Sequence, residues 1–177
     1  VFITRSVCFV GLCDFAGEVL AQEQMAVNVD NAKQTLQEVV DKIKLFISEY
    51  KNPKLLGIGI TAPGPLDKDK GIIGEVVNFN GWNNLNIVDA FNNQFECSVY
   101  LDNVSNALAK AEYLKNPKCQ NKYLELVIDS GFGSAVLLNK EEIEILECEL
   151  GHTTVDMHGK KCECGNVGCA ELYVNQT

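Results

Sequence analysis

A chain of 177 residues, 46% of them hydrophobic, carries enough apolar material to bury a core in one or two small domains. Its formal charge of −9 makes it a poor DNA binder on its own, because affinity for phosphate backbones comes largely from lysine and arginine. No apolar run approaches the roughly 20 residues that span a bilayer, and no basic, apolar, small-residue leader marks the start.

The chain begins in the strand-like Val1-Phe2-Ile3 without an initiator Met, and reads as a piece cut from something longer. Residues 7–13 form a short apolar strand, Asp14 to Gly17 a turn, and Glu18 to Val27 the return strand of a hairpin. Asp30 or Asn31 caps a helix whose apolar residues Leu36, Val39, Val40, Ile43, Phe46, Ile47 and Tyr50 recur at helical spacing, with Asn52-Pro53 as its stop. Leu55 to Ile60 has the continuous apolar character of a buried parallel strand. It runs into Ala62-Pro-Gly-Pro65, a loop at a strand's carboxyl end, where open α/β sheets bind ligands.

An Asn- and Gly-rich stretch, Asn78 to Asn84, precedes a short helix bearing Ile87, Val88, Phe91 and Phe95. Trp82 within it suits either stacking on a ligand or plugging a core under a loop. Ser98 to Leu101 is a further strand, and Asp102-Asn103 is expected to open an Ala- and Leu-rich helix as its cap. Tyr123 to Ile128 and Ser134 to Leu138 read as strands joined by Asp129-Ser-Gly-Phe-Gly133, and Glu142 to Leu146 completes a second hairpin after Asn139-Lys140. The joining segment suits a plain turn better than a phosphate cradle, having two glycines and a leading aspartate. The order implies an α/β protein with mixed sheets and a boundary near residues 104–118.

Of the eight cysteines, Cys8, Cys13, Cys97, Cys119 and Cys148 are scattered, several in apolar stretches. Cys162, Cys164 and Cys169 cluster among Gly and polar residues. With no secretory signal, the expected setting is a reducing cytoplasm. Together with His152 the cluster has the composition of a Cys3His zinc site, and Gly165 and Gly168 allow the tight turns needed for convergence. Four protein ligands would leave no open position, which makes such a zinc structural; a disulfide with one free thiol, or unligated thiols, are the competing readings. Glu149, three residues before His152, and Glu171, two after Cys169, would be held near the metal as acceptors for neutral hydroxyls, unless they are plain surface carboxylates.

These segments together resemble the ROK family of bacterial sugar kinases and sugar-responsive transcriptional repressors. The likeness is carried by Asp14 to Gly17, Gly57 to Pro65, Asn78 to Trp82, Asp102-Asn103 with Asn106-Ala107, Gly131 with Gly133, Glu149-Leu-Gly-His152, and Cys162 to Glu171. It implies an actin-like (ribonuclease H-like) fold of two subdomains, residues 1–104 and 105–177. Family members continue with further helices, so the second subdomain, which carries the zinc clip, is expected to be truncated. It also implies that Glu149, His152, Glu171 and Asn103 touch sugar hydroxyls, with Gly64 and Asn78 bordering the same cleft.

The departures from that likeness concern phosphoryl transfer. The family's general base falls at Val104, which accepts no proton. The first phosphate loop registers Phe2 at its aspartate and Thr4 at its first glycine, and the second is thinned to Asp129-Ser-Gly-Phe-Gly-Ser-Ala135. No catalytic residue is therefore assigned. The expected function is a sugar-sensing effector domain of a ROK-type repressor, in which sugar shifts a conformational population that an attached winged helix-turn-helix domain, absent here, reads on DNA. A homodimer or higher homo-oligomer is expected, with no membrane partner. The alternative is an ATP-dependent hexose kinase with divergent motifs.

Overall fold

The computed structural model describes residues 1–50, 54–76, 78–116, 122–128, 131–139 and 143–174. The chain divides into two compact units, Val1–Asn103 and Val104–Thr177. The first contains β1 (Phe2–Ile3), β2 (Val7–Cys13), β3 (Val19–Ala26), α1 (Ala32–Glu49), β4 (Gly57–Ala62), β5 (Leu66–Asp67), β6 (Ile72–Ile73), β7 (Leu85–Asn86), α2 (Ile87–Asn92) and β8 (Ser98–Asn103). The second contains α3 (Val104–Lys115), β9 (Lys122–Ile128), β10 (Phe132–Asn139), β11 (Ile143–Cys148) and α4 (Glu171–Val174).

Among the described residues of the first unit, one five-stranded sheet has the order β3-β2-β1-β4-β8. It is mixed: β2 pairs antiparallel with β1 and β3, whereas β4 runs parallel to β1 and β8. Alternation directs Cys8, Val10, Ile58, Ile60, Ala62 and Leu101 to one buried face. Against them α1 lays Leu36, Val39, Val40, Ile43 and Phe46, the helically spaced stripe expected of an amphipathic segment. Asn31 is the cap, its side chain accepting from the Gln34 N–H. Tyr50, expected on that stripe, falls just past the last turn; it is exposed and its hydroxyl donates to the Leu20 carbonyl. The expected stop at Asn52-Pro53 lies outside the described residues.

One expectation needs correcting. The strand expected from Leu55 begins at Gly57, and only one of its faces is buried, since Gly57 and Gly59 are exposed. Asp102-Asn103 leads directly into the following helix, which begins at Val104. Thr61 pairs with Asp102 and Ala62 with Asn103, and this parallel register keeps both residues extended as the end of β8.

Trp82 is a core plug. It is fully buried, stacks on Phe79 at 4.8 Å between ring centroids, and donates its indole N–H to the Asn28 carbonyl at 2.9 Å. Gly81 beside it has no room for a side chain, because a Cβ there would lie 2.3 Å from the Asp30 carbonyl carbon.

In the second unit β10 lies between β9 and β11, both antiparallel, and α3 packs on β9 and β10. Close packing is permitted by Gly133, where a Cβ would sit 2.2 Å from Ser105 Oγ. The strands expected over 123–128, 134–138 and 142–146 are present as β9, β10 and β11; Asp129, Ser130, Lys140 and Glu142 lie outside the described residues. No helix among the described residues is long and apolar enough to cross a membrane.

Replacing Trp82 by Ala removes the ring stack and the indole hydrogen bond together. The expected cost is about 3–5 kcal/mol of unfolding free energy, read from urea denaturation followed by circular dichroism.

Candidate functional site

The densest chemistry lies after β11. His152, at the end of the short 3-10 turn Leu150–His152, meets Cys162, Cys164 and Cys169, and one ligand atom from each lies within 4.8 Å of all the others. Cys162 Sγ is 3.6 Å from His152 Nδ1 and Cys164 Sγ is 3.7 Å from Cys169 Sγ. Zinc bonds of about 2.3 Å to sulfur and 2.0–2.1 Å to nitrogen place tetrahedral ligand atoms about 3.5–3.8 Å apart, so these separations suit one such ion.

The backbone explains the convergence. Gly165 N–H closes a turn onto the Cys162 carbonyl, and Cys162 N–H bonds the Asn166 carbonyl. Gly165 and Gly168 take the left-handed φ values of 93° and 64°. At Gly168 a Cβ would also fall 1.6 Å from the Asp156 carbonyl oxygen. The Asn166 amide donates to both the His152 carbonyl and Thr154 Oγ1, tying the ligand turn to the histidine segment.

The thiols differ. Burial pushes Cys169 up to about 12, with its sulfur neighbours adding to the shift. The Asn166 N–H instead holds the exposed Cys164 thiol below its ordinary value. A bound cation would favour the thiolate at all three positions.

The two candidate acids lie on either side of the start of β10. The Phe132 N–H donates to Glu171 Oε2 at 3.0 Å, and a Cβ on Gly131 would lie 3.0 Å from that same oxygen. The Phe132 carbonyl rests against Gly151, where a Cβ would sit 2.2 Å from its oxygen. Glycine between Glu149 and His152 is thus a steric requirement. Glu149 itself is exposed and precedes the 3-10 turn, its carbonyl accepting the His152 N–H at 3.0 Å. The Ser134 hydroxyl reaches both neighbours of Glu149, donating to the Cys148 carbonyl at 2.8 Å and accepting the Leu150 N–H at 3.1 Å. Sequence reasoning overlooked Ser134; its only signal was a polar residue at a buried position of a strand. The described glycines of the expected turn make room for Glu171 and Ser105.

In the first unit, Gly64 and Asn103 are neighbours: a Cβ on Gly64 would lie 3.2 Å from Asn103 Nδ2. Asn103 N–H donates to Asp102 Oδ1 at 2.8 Å, and that oxygen also receives Lys68 Nζ at 3.4 Å. Asn78 is exposed, with a φ of 58°, just ahead of the 3-10 turn Asn80–Trp82. Thr61, in register with Asp102, has a buried hydroxyl oxygen without a hydrogen-bond partner among the described residues. Val104 is the first residue of α3.

The model of the ROK family matches residues 5–177. The chain belongs to the ROK family. The xylose repressor of Bacillus subtilis is 28% identical over 171 residues, covering 93% of this chain and 44% of that protein. The glucokinase of Thermotoga maritima is 27% identical over 172 residues, covering 95% of this chain and 54% of that protein. This ROK chain thus spans about half the length of the curated relatives it matches. A solved ROK family transcriptional regulator, described as a homologue of the Escherichia coli Mlc protein, superposes with a TM-score of 0.82 at 24% identity, over 98% of this chain and 45% of that one. The shared architecture is the actin-like α/β fold of ROK proteins.

Because Gly168 cannot accept a Cβ, Gly168→Ala is expected to distort the ligand turn and weaken metal binding about 10–100-fold. Titration with cobalt(II), followed by thiolate-to-metal charge-transfer absorption, measures it. An unchanged titration would show that the turn tolerates the methyl group.

Proposed function

We propose that this ROK chain is the sugar-sensing, effector-binding region of a transcriptional repressor and has lost kinase activity. The observation that carries the reading is Val104. It stands where the family's base would follow Asn103, and its isopropyl group takes no proton from a sugar hydroxyl. Phe2 in β1, at the place of a phosphate-loop aspartate, supports the same reading. A xylose repressor and a glucokinase of nearly equal identity stand on the two sides of the choice. The second reading is therefore an ATP-dependent hexose kinase with divergent motifs.

In this proposal Glu149 and Glu171 accept hydrogen bonds from sugar hydroxyls and His152 contacts the sugar, and the family likeness implies the same role for Asn103, Gly64 and Asn78. A structural zinc held by His152 Nδ1, Cys162, Cys164 and Cys169 would brace the segment carrying both acids, leaving His152 Nε2 for the sugar. The two carboxylates suit neutral sugars, being pure acceptors when ionised. Bound sugar favours one conformation over another, and a winged helix-turn-helix domain elsewhere in the full protein reads that shift on DNA. The working protein is proposed to be a cytoplasmic homodimer or higher homo-oligomer.

Calorimetry with D-xylose and D-glucose is expected to show binding that Glu149→Ala abolishes, alongside no turnover in an ADP-coupled assay. Turnover that disappears in Glu149→Ala would establish the kinase instead. Cys164→Ser is expected to release zinc, measured by a chromophoric chelator, and to abolish sugar binding with it. Sugar affinity that survives metal loss would refute the bracing role.

A further inference from the structure

We propose that Ser134 is a positioning residue that aims Glu149 at the bound sugar. The inference rests on the reading of Glu149 as a sugar ligand. Ser134 is only 6% exposed and lies on β10, in register with Leu126 on one side and Cys148 on the other. Its hydroxyl oxygen donates to the Cys148 carbonyl and accepts from the Leu150 N–H. Those two groups belong to the two peptide planes that flank the Glu149 Cα. Their relative rotation is φ and ψ of Glu149, so a single oxygen atom restrains both angles at once.

The restraint matters because neither a strand nor a helix provides it. Glu149 has φ −111° and ψ 55°, after β11 has ended and before the 3-10 turn begins. Among the described residues its other backbone tie is the His152 N–H on its carbonyl, which leaves φ free. The side chain is exposed, and the Cα–Cβ vector from which it projects is set by the backbone that Ser134 holds. Ser134 also lies within 3.2 Å of Cys148 Sγ, a weak donor that satisfies the remaining lone pair. Glu171 is aimed from the same strand by the Phe132 N–H, a backbone group. Of the two acids, Glu149 is the one whose aim depends on a side chain that can be altered.

The test is a double-mutant cycle on the zinc-loaded chain, with D-xylose and D-glucose as probes. Ser134→Ala is expected to bind the sugar about tenfold more weakly, with zinc content unchanged. In a Glu149→Gln background the same substitution is expected to change affinity by less than about twofold, because the group it positions has already been weakened. Equal losses in the two backgrounds would overturn the positioning role. Hydrogen exchange of the Leu150 amide, measured without sugar, is expected to quicken in Ser134→Ala; unchanged exchange would overturn the clamp itself. If the parent chain binds neither sugar, or Glu149→Gln binds as the parent does, the sugar reading fails, while Leu150 exchange still decides whether Ser134 holds Glu149.

Discussion

Convergence of His152, Cys162, Cys164 and Cys169 closes the segment 152–169 into a loop that is otherwise held by hydrogen bonds such as Val155 N–H to the Gly168 carbonyl and Gly168 N–H to the Lys160 carbonyl. Most of residues 153–161 are exposed, and the buried groups within the loop are chiefly the ligands Cys162 and Cys169 with Gly168. Hydrophobic burial there is slight. A structural zinc contributes roughly 10–16 kcal/mol in peptides that fold around it, comparable to the total stability of about 5–15 kcal/mol of a typical domain. Order in this loop therefore rests on its hydrogen bonds more than on apolar packing, and a metal held by the ligand cluster would add to it.

The start of β10 supplies the second support. One peptide group, that of Phe132, donates to Glu171 through its N–H, and its carbonyl leaves room only for glycine at 151. Two residues on, Ser134 holds the backbone on both sides of Glu149. The two acids are thus separated by the whole ligand loop in sequence yet referred to the same short stretch of strand. Neutral hydroxyls are recognised by acceptors whose positions are fixed before binding, since each side chain that must be ordered on binding lowers affinity.

In the proposed effector reading the arrangement serves recognition rather than transfer. Phosphoryl transfer needs a proton acceptor at the attacking hydroxyl and oriented charge at the phosphates. Val104 and Phe2 supply neither. The carboxylates of Glu149 and Glu171 would accept from sugar hydroxyl groups in either reading.

The sequence alone determined those features that depend on residue type and short spacing. Zinc ligation asks for soft ligands and glycines close together along the chain, so the four ligands were legible without any structure. Helix α1 was legible because its stripe repeats at the helical period, and the ROK resemblance was legible in motifs of a few residues each. Tertiary structure alone decided the contacts between distant residues. That Asp102 and Asn103, directly ahead of α3, also finish a strand was decided by β4, which pairs with them from some forty residues upstream. Trp82 could have faced a ligand, and is instead a core residue because the Asn28 carbonyl accepts its N–H. Ser134 carries only a weak local signal, a polar residue within a strand. Its role exists only because β10 and β11 pair with Ser134 opposite Cys148, and register is set by the whole hairpin rather than by any one residue.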